Sequence, residues 1–190
     1  MINIDKIQSN LSTTMAKKWT TACQNIHHMM ELRGFSFERQ IELLFFSYVN
    51  SKKQKTIICI FPNEKLSIET LREIIQFSES KKCRQLILIL QNVWSANCKK
   101  IFENLTFFSI NMFYMKEFQY DLTKLHYYVP HEKIENKELL QEIKQKYKNG
   151  LPTLSKNDMI ARYFDFSRGD VIRVIRNDFN VPSIAYRVVK

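Results

Sequence analysis

The order of apolar and polar positions along the chain predicts an α/β protein. Apolar side chains recur every three or four positions between residues 3 and 33, which predicts a long helix that ends at Gly34. Lys55–Phe61 and Arg84–Gln91 are short apolar runs typical of buried strands. Ile41–Val49 fits a strand or a buried helix, and its aromatic and β-branched residues favour the strand.

Helical patterns connect these runs. Ser67 is placed to cap a helix that ends at Lys81 and Lys82, and Ser95–Leu105 has a second helical pattern. Phe107–Phe113 then predicts a third strand. Strands that alternate with helices over short connections are typical of βαβ crossovers, so we expect a mostly parallel or mixed sheet in this first domain.

The pattern changes near Tyr120, which divides the chain into a first domain, residues 1–119, and a second domain, residues 120–190. The second part has more charged residues and shorter apolar runs. Its predicted elements are a helix over Glu135–Lys148, a short helix over Asn157–Phe164 capped by Asn157, and a hairpin of Val171–Arg176 with Ile184–Val189. These elements predict a small α+β domain.

Composition excludes several classes of protein. The chain has only three glycines, too few for the glycine-rich loops of P-loop NTPases, Rossmann enzymes or protein kinases. Its four cysteines contain no closely spaced pair of the kind that binds zinc. The purely apolar runs are too short to span a membrane and no signal peptide begins the chain, so we expect a soluble, intracellular, reduced protein.

The formal net charge of +10 indicates a polyanionic neighbour such as nucleic acid. The excess of basic residues is spread over both domains and forms no continuous basic tail. A lysine-rich solvated surface, as an AT-rich genome would encode, explains the same charge. Composition alone leaves both interpretations open.

Catalytic chemistry has little support in the sequence. His27 and His28 are adjacent on a helix and point to different faces, while His126 and His131 flank a proline loop without enough convergent ligands for a metal. A nuclease would need carboxylates on its strands, but the single E-x-K pair of the first domain, Glu79–Lys81, lies at a helix end. We therefore expect no catalytic residue, no metal and no cofactor.

The loop after the second apolar strand is a candidate binding surface. Loops at the carboxyl ends of parallel strands commonly carry the ligand surface of an open sheet. This one holds an aromatic residue, small polar groups and two cations: Asn92, Trp94, Ser95, Lys99 and Lys100. These residue types suit contact with phosphate groups independently of base sequence. The alternative is that the loop is a solvated turn whose tryptophan packs beneath it.

Residues 158–176 and 185–188 resemble the shared fifth subunit of eukaryotic nuclear RNA polymerases, whose archaeal counterpart consists of this domain only. The matching positions are Asp158, Ala161, Arg162, Tyr163, Arg168, Gly169, Val171, Ile175, Arg176, Tyr186 and Arg187. Leu151–Pro152 and the segment with His126, Val129 and Pro130 extend the match upstream, and the helix end Arg33–Phe35 and Gln91–Ala96 resemble the family more weakly. Met159 and Asp165 depart from its proline and glycine.

The resemblance implies a non-catalytic subunit shared among polymerases I, II and III. The second domain would dock on the largest polymerase subunit, beside the small sixth subunit. The first domain would form a nuclease-like lower jaw next to downstream duplex DNA. The implied docking residues are His126, Val129, Pro130, Arg162, Tyr163, Arg168, Gly169, Arg173, Arg176, Tyr186 and Arg187.

The same resemblance implies a nuclear protein, nucleolar when it is part of polymerase I, with other polymerase subunits as partners. It implies neither a membrane partner nor a homo-oligomer. Three alternatives stay open from the residues: a free-standing basic nucleic-acid-binding factor, a nuclease, and a polymerase subunit of a large DNA virus.

Overall fold

The structure, a computed structural model, describes residues 13–42, 44–61, 66–83, 85–91, 109–148, 150–178 and 181–190. The chain divides into two compact units, Met1–Asp121 and Leu122–Lys190. The described elements of the first unit are α1 (Thr13–Leu32), β1 (Phe35–Glu42), β2 (Phe45–Asn50), β3 (Lys55–Phe61), α2 (Ile68–Ser80), β4 (Gln85–Leu90), β5 (Ser109–Tyr114) and a 3-10 helix (Met115–Phe118).

The strands of the first unit form one mixed sheet in the order β1-β2-β3-β4-β5. β2 is antiparallel to both of its neighbours, whereas β3, β4 and β5 are parallel. The α/β class, the mixed sheet and the strands predicted from the two apolar runs are therefore confirmed. β5 begins at Ser109 among the described residues, and the helix predicted for Ser95–Leu105 lies outside them.

The run Ile41–Val49 is not a single strand. It covers the end of β1, a turn at Leu44 and most of β2, which together form an antiparallel hairpin. The register shifts between Phe37 and Arg39, which places Glu38 in a bulge. There the Ser47 hydroxyl donates to the Glu38 carboxylate at 2.6 Å, and the Lys55 ammonium donates to the other carboxylate oxygen at 3.1 Å.

The two α-helices that the structure describes in the first unit, α1 and α2, cover opposite faces of the sheet. On one face, α2 packs against alternate residues of the parallel strands, including Cys59 and Leu88, which are opposite each other in the register. On the other face, the α1 residue His27 lies against the ring of Tyr48 on β2, with ring centroids 6.0 Å apart. Asn25 of α1 donates to the carbonyl of Phe118 at 2.8 Å, which ties the helix to the segment after β5.

The second unit begins with a 3-10 helix (Leu122–Lys124) and continues with β6 (His131–Lys133), α3 (Lys137–Tyr147), β7 (Thr153–Leu154), α4 (Met159–Tyr163), β8 (Val171–Asp178) and β9 (Val181–Val189). Its sheet has the order β6-β8-β9-β7, in which β9 and β7 are parallel and the other pairs are antiparallel. The predicted hairpin is thus present as β8 and β9. The cap of α4 is Asp158, whose side chain accepts from Ile160 N at 2.8 Å, so the predicted Asn157 cap is wrong.

Each face of the second sheet has its own apolar cluster. One cluster joins Val171 of β8 to Ile143 of α3, with Tyr186 and Val188 of β9 packed against it. The other joins Ile172 and Val174 to the α4 residue Ala161 and to Phe166. Alternate residues of β8 therefore face different helices. No helix among the described residues is long and apolar enough to cross a membrane.

Candidate subunit interface

The arginines of the second unit are distributed over both faces of its sheet by strand alternation. Arg173 lies opposite Tyr186 and opposite Glu132, on the face covered by α3. Its guanidinium donates to Glu132 Oε2 through both Nε, at 3.1 Å, and Nη2, at 2.5 Å. The charge of Arg173 is thus engaged within the chain.

The opposite face carries Arg176 and Arg187. Arg187 lies opposite Ile172, and its Nη1 donates to the carbonyl of Thr153 at 3.3 Å. Arg176 lies opposite Ser183, near the end of the hairpin where β8 is joined to β9, and is exposed. Of these two arginines, Arg176 leaves the larger fraction of its surface available for a partner.

His131 sits on the same face as these two arginines. It lies opposite Val174, and its Nδ1–H donates to the Val129 carbonyl at 2.6 Å. Burial lowers the pKa of His131, and the positive charges of Arg187 and Arg176 lower it further, while the Val129 carbonyl and Asp158 raise it. A neutral imidazole at this position is consistent with its Nδ1–H donating to a carbonyl.

The turn from α4 into β8 holds Arg168 and Gly169, both exposed. The Asp170 carboxylate accepts from Ser167 N at 2.7 Å and pairs with Lys133 at 2.9 Å, which closes the turn and ties it to β6. Gly169 has a φ of +89°, a conformation that glycine adopts without strain. Its presence in the motif has this backbone reason independently of any partner.

Tyr163 does not belong to an exposed surface. Its side chain is 1% exposed, and its ring meets that of Phe164 edge-on with centroids 5.2 Å apart. The prediction that Tyr163 contacts another subunit is corrected, because its side chain is part of the unit's own core. Arg162, one residue earlier, is half-buried, and its Nε donates to the carbonyl of Asn157 at 3.1 Å, which supports the start of α4.

The segment from His126 to Pro130 has an exposed side chain that a partner could contact and two residues that support the fold of the second unit. His126 is exposed and meets the ring of Tyr127 edge-on at 5.0 Å, whereas half-buried Val129 packs on the cluster under α4. The Pro130 carbonyl accepts from Ile175 N at 3.1 Å and extends the pairing of β6 with β8.

Sequence reasoning missed several residues of this surface. Val181 and Ile184, near the end of the hairpin where β8 is joined to β9, are 64% and 56% exposed. Val181 lies on the same face as Arg176, whereas Ile184, opposite Ile175, lies on the other face. Glu132 was also missed, although its place in a short run just after a proline indicated an edge strand. The residues predicted to contact DNA, Asn92, Trp94, Ser95, Lys99 and Lys100, lie outside the described residues.

The described residues offer no catalytic constellation. No group of three His, Cys, Asp or Glu side chains among them could hold a metal ion. Burial raises the pKa of Cys23 to about 11 and that of Cys59 to about 12, so neither is a thiolate nucleophile near neutral pH. Glu79 of the E-x-K pair is exposed on the last turn of α2 rather than on a strand.

Residues 119–189 match the family "RNA polymerase Rpb5, C-terminal domain". The chain is 30% identical over 179 residues to "Putative DNA-directed RNA polymerase subunit 454R" of Invertebrate iridescent virus 6, which covers 85% of this chain and 94% of the relative. It is 25% identical to "DNA-directed RNA polymerases I, II, and III subunit RPABC1" of Caenorhabditis elegans, over 74% of this chain and 69% of the relative.

A third relative, "DNA-directed RNA polymerase V subunit 5A" of Arabidopsis thaliana, is 26% identical over 72% of this chain and 63% of its own length. Together with the two-unit α/β fold, these matches define a subunit of a multi-subunit DNA-directed RNA polymerase. The chain belongs to the Rpb5 family.

Proposed function

We propose that this chain is a non-catalytic subunit that docks on the largest polymerase subunit through its second unit. The observation that carries the proposal is the surface at the end of the hairpin where β8 is joined to β9. There exposed Arg176 lies on the same face as Val181, which is more than half exposed. Arginine next to exposed apolar side chains is a composition typical of protein–protein interfaces, whereas a solvated face would carry lysine and glutamate.

The docking surface we propose is composed of Arg168, Arg176 and Val181, with His126 and Pro130 as further exposed candidates. Exposed Ile184 pairs with Ile175 and lies on the opposite face of the sheet. Arg162, Arg173 and Arg187 each donate a hydrogen bond within the chain, and half-buried Tyr186 packs with the α3 cluster. These four residues would support the surface rather than form its centre. The small sixth subunit is the proposed neighbour at this site.

The first unit is proposed to form a jaw beside downstream duplex DNA. Its α/β sheet has helices on both faces, and the sequence segment that contains Lys99 and Lys100 follows the carboxyl end of β4 along the chain. The net charge of +10 supports a position next to a polyanion.

Two kinds of polymerase are candidates for the assembly. The names of the nematode relatives support a subunit shared among nuclear polymerases I, II and III, with a nuclear and, for polymerase I, nucleolar location. The viral relative favours a polymerase of a large DNA virus, because identity is higher and the match covers 94% of that relative against 69% of the nematode ones. Mass spectrometry of the subunits that co-purify with the chain distinguishes the two.

The docking proposal is tested by charge reversal. We expect R168E/R176E to abolish co-purification with the largest subunit, because two exposed cations of the surface become anions. The matched control is R39E/R72E, which reverses two exposed arginines of the first unit. Assembly of R168E/R176E at wild-type stoichiometry would show that the proposed surface is wrong.

A further inference from the structure

A basic groove lies at the edge of the first sheet where β3, β4 and β5 begin. It has a volume of about 590 Å³, and its described lining includes Lys53, Lys55, Lys81, Lys82, Gln85 and Ser109. Lys55, Gln85 and Ser109 are the first residues of the three parallel strands. No carboxylate and no aromatic side chain is among the described residues that line it.

Two equivalent turns supply three of the four lysines that line this basic groove. Ser51–Lys53 precedes β3 and Ser80–Lys82 precedes β4, and both segments have the sequence Ser-Lys-Lys. Each turn ends three residues before a register pair, Thr56 opposite Gln85, whose side chains are joined by a 2.7 Å hydrogen bond. Because the two strands are parallel neighbours, the turns lie side by side.

The second lysine of each turn has a left-handed backbone. Lys53 has a φ of +59° and Lys82 a φ of +57°, and in each case the backbone N–H donates to the carbonyl three residues earlier. Gly34 makes the same turn after α1 with a φ of +77°. A left-handed conformation is unfavourable for lysine and free of strain for glycine, so fold stability alone would favour glycine at Lys53 and Lys82.

Contacts within the chain account for the positions of only some of these lysines. Lys55 pairs with Glu38, and Lys81 lies over the Phe77 ring at 5.2 Å. Lys81 and Lys82 also follow the carboxyl end of α2, where positive charge is favourable. Lys53 follows no helix, and no described carboxylate pairs with it or with Lys82.

We propose that the basic groove binds the sugar–phosphate backbone of duplex DNA. Lysine is a flexible point charge that neutralises a phosphate without reading sequence. Single-stranded nucleic acid normally requires aromatic side chains on which bases stack, and the described lining has none. An acidic peptide would need an apolar anchor, which lysine, glutamine and serine do not provide.

This surface is distinct from the DNA-facing loop proposed for the jaw. That loop follows the carboxyl end of β4, whereas the basic groove lies at the amino ends of the strands. Six residues of β4 at about 3.3 Å each place the two edges roughly 20 Å apart. The first unit would therefore contact the duplex at two places or hold a second stretch of it.

The test measures binding of the full chain to a fluorescent DNA duplex of mixed sequence by anisotropy, from about 50 to 200 mM salt. The variant is K53N/K82N, because asparagine tolerates the left-handed conformation and removes the charge. The control K17A/K18A removes two exposed lysines of α1 that lie outside the basic groove. We expect K53N/K82N to raise the dissociation constant at least about tenfold at low salt and to lower the salt slope by about 1.8.

Several results would overturn the inference. They are an equal loss in K17A/K18A, an unchanged slope in K53N/K82N, or no duplex binding by the wild type at low salt. Dependence on Lys53 and Lys82 for a poly-glutamate peptide or a single-stranded oligonucleotide, but not for the duplex, would assign a different occupant. Co-purification with the largest subunit is measured in parallel, so that failure of the groove is distinguished from failure of the docking surface.

Discussion

Arg173 on β8 and Glu132 on β6 face each other across an antiparallel strand pair, and the guanidinium donates to a single carboxylate oxygen through two nitrogens. The pair joins the three-residue edge strand to the centre of the sheet. The sequence alone suggests that Arg173 is available for a partner subunit, but its guanidinium is already hydrogen-bonded within the chain. This geometry separates the role of Arg173 from that of exposed Arg176.

Exchanging the two charges tests this separation. R173E alone places two carboxylates opposite each other, so we expect a lower melting temperature and reduced assembly. The swap E132R/R173E restores opposite charges, and both properties should return toward wild type. Thermal unfolding and co-purification are measured on all three variants with the wild type. Recovery of the melting temperature without recovery of assembly would instead place Arg173 in the docking surface.

How much of the fold the sequence predicts depends on what each strand contacts. β3 and β4 are buried on both faces, so their runs are apolar almost throughout and were predicted within one residue of their observed ends. β1 was missed, because an edge strand with one exposed face has the mixed sequence FSFERQIE and a bulge that interrupts its alternation. Register and bulge position depend on the neighbouring strand and cannot be read from one segment.

The candidate site was predictable in part. A motif match identifies which residues belong to the family pattern but not which of them reach the surface. Tyr163 and Arg168 belong to the same motif, yet one is buried and the other exposed. Asn157 and Asp158 are both good capping residues, and only the backbone path decides that Asp158 caps α4. The repeated Ser-Lys-Lys of the basic groove is visible in the sequence, but its meaning depends on two strands being parallel neighbours.

Glycine at the two left-handed lysines should stabilise the fold. Relief of the left-handed backbone favours the folded state by about 1–2 kcal/mol per residue, and the greater freedom of glycine in the unfolded chain offsets roughly 0.5–1 kcal/mol of it. We expect K53G and K82G each to raise the free energy of unfolding by about 0.5–1 kcal/mol. Urea denaturation followed by tryptophan fluorescence measures this in the first unit, which contains both tryptophans.

The control for this prediction is Lys52→Gly in the same turn. Lys52 has no positive φ, so glycine there adds only unfolded-state freedom and should lower stability or leave it unchanged. If K53G and K52G change the denaturation midpoint alike, the left-handed conformation of Lys53 carries no energetic cost. Binding of an anion would then no longer be needed to explain why lysine, and not glycine, occupies this position of the basic groove.

His131 should make the second unit less stable in mild acid. Burial, with smaller contributions from Arg187 and Arg176, lowers its pKa below the ordinary value of about 6.5, so the unfolded chain binds the proton more tightly. Stability therefore falls as the pH drops below about 6.5, and the loss is complete below the folded-state pKa. Asp158 opposes the shift without reversing it.

The measurement is hydrogen exchange of peptides from β6 and β8 at pH 7.5 and 5, corrected for the intrinsic rate. In H131N an amide can still donate to the Val129 carbonyl but does not titrate, so the acid-induced loss of protection should shrink. H126N, which replaces an exposed imidazole, is the matched control. Equal pH dependence in H131N and the wild type would remove His131 as the cause.

Lys99 and Lys100 fall in the first turn of the helix that the sequence predicts for Ser95–Leu105. Cations there oppose the helix dipole, and a nearby phosphate would offset that cost. We expect K99A/K100A to shorten the lifetime of elongation complexes on downstream DNA, independently of DNA sequence and less strongly as salt rises. Dissociation is measured against ionic strength for wild type, K99A/K100A and K53N/K82N in the assembled polymerase. A lifetime and salt slope in K99A/K100A identical to wild type would make the two lysines part of a solvated surface, and a loss in K53N/K82N alone would assign the duplex contact to the basic groove.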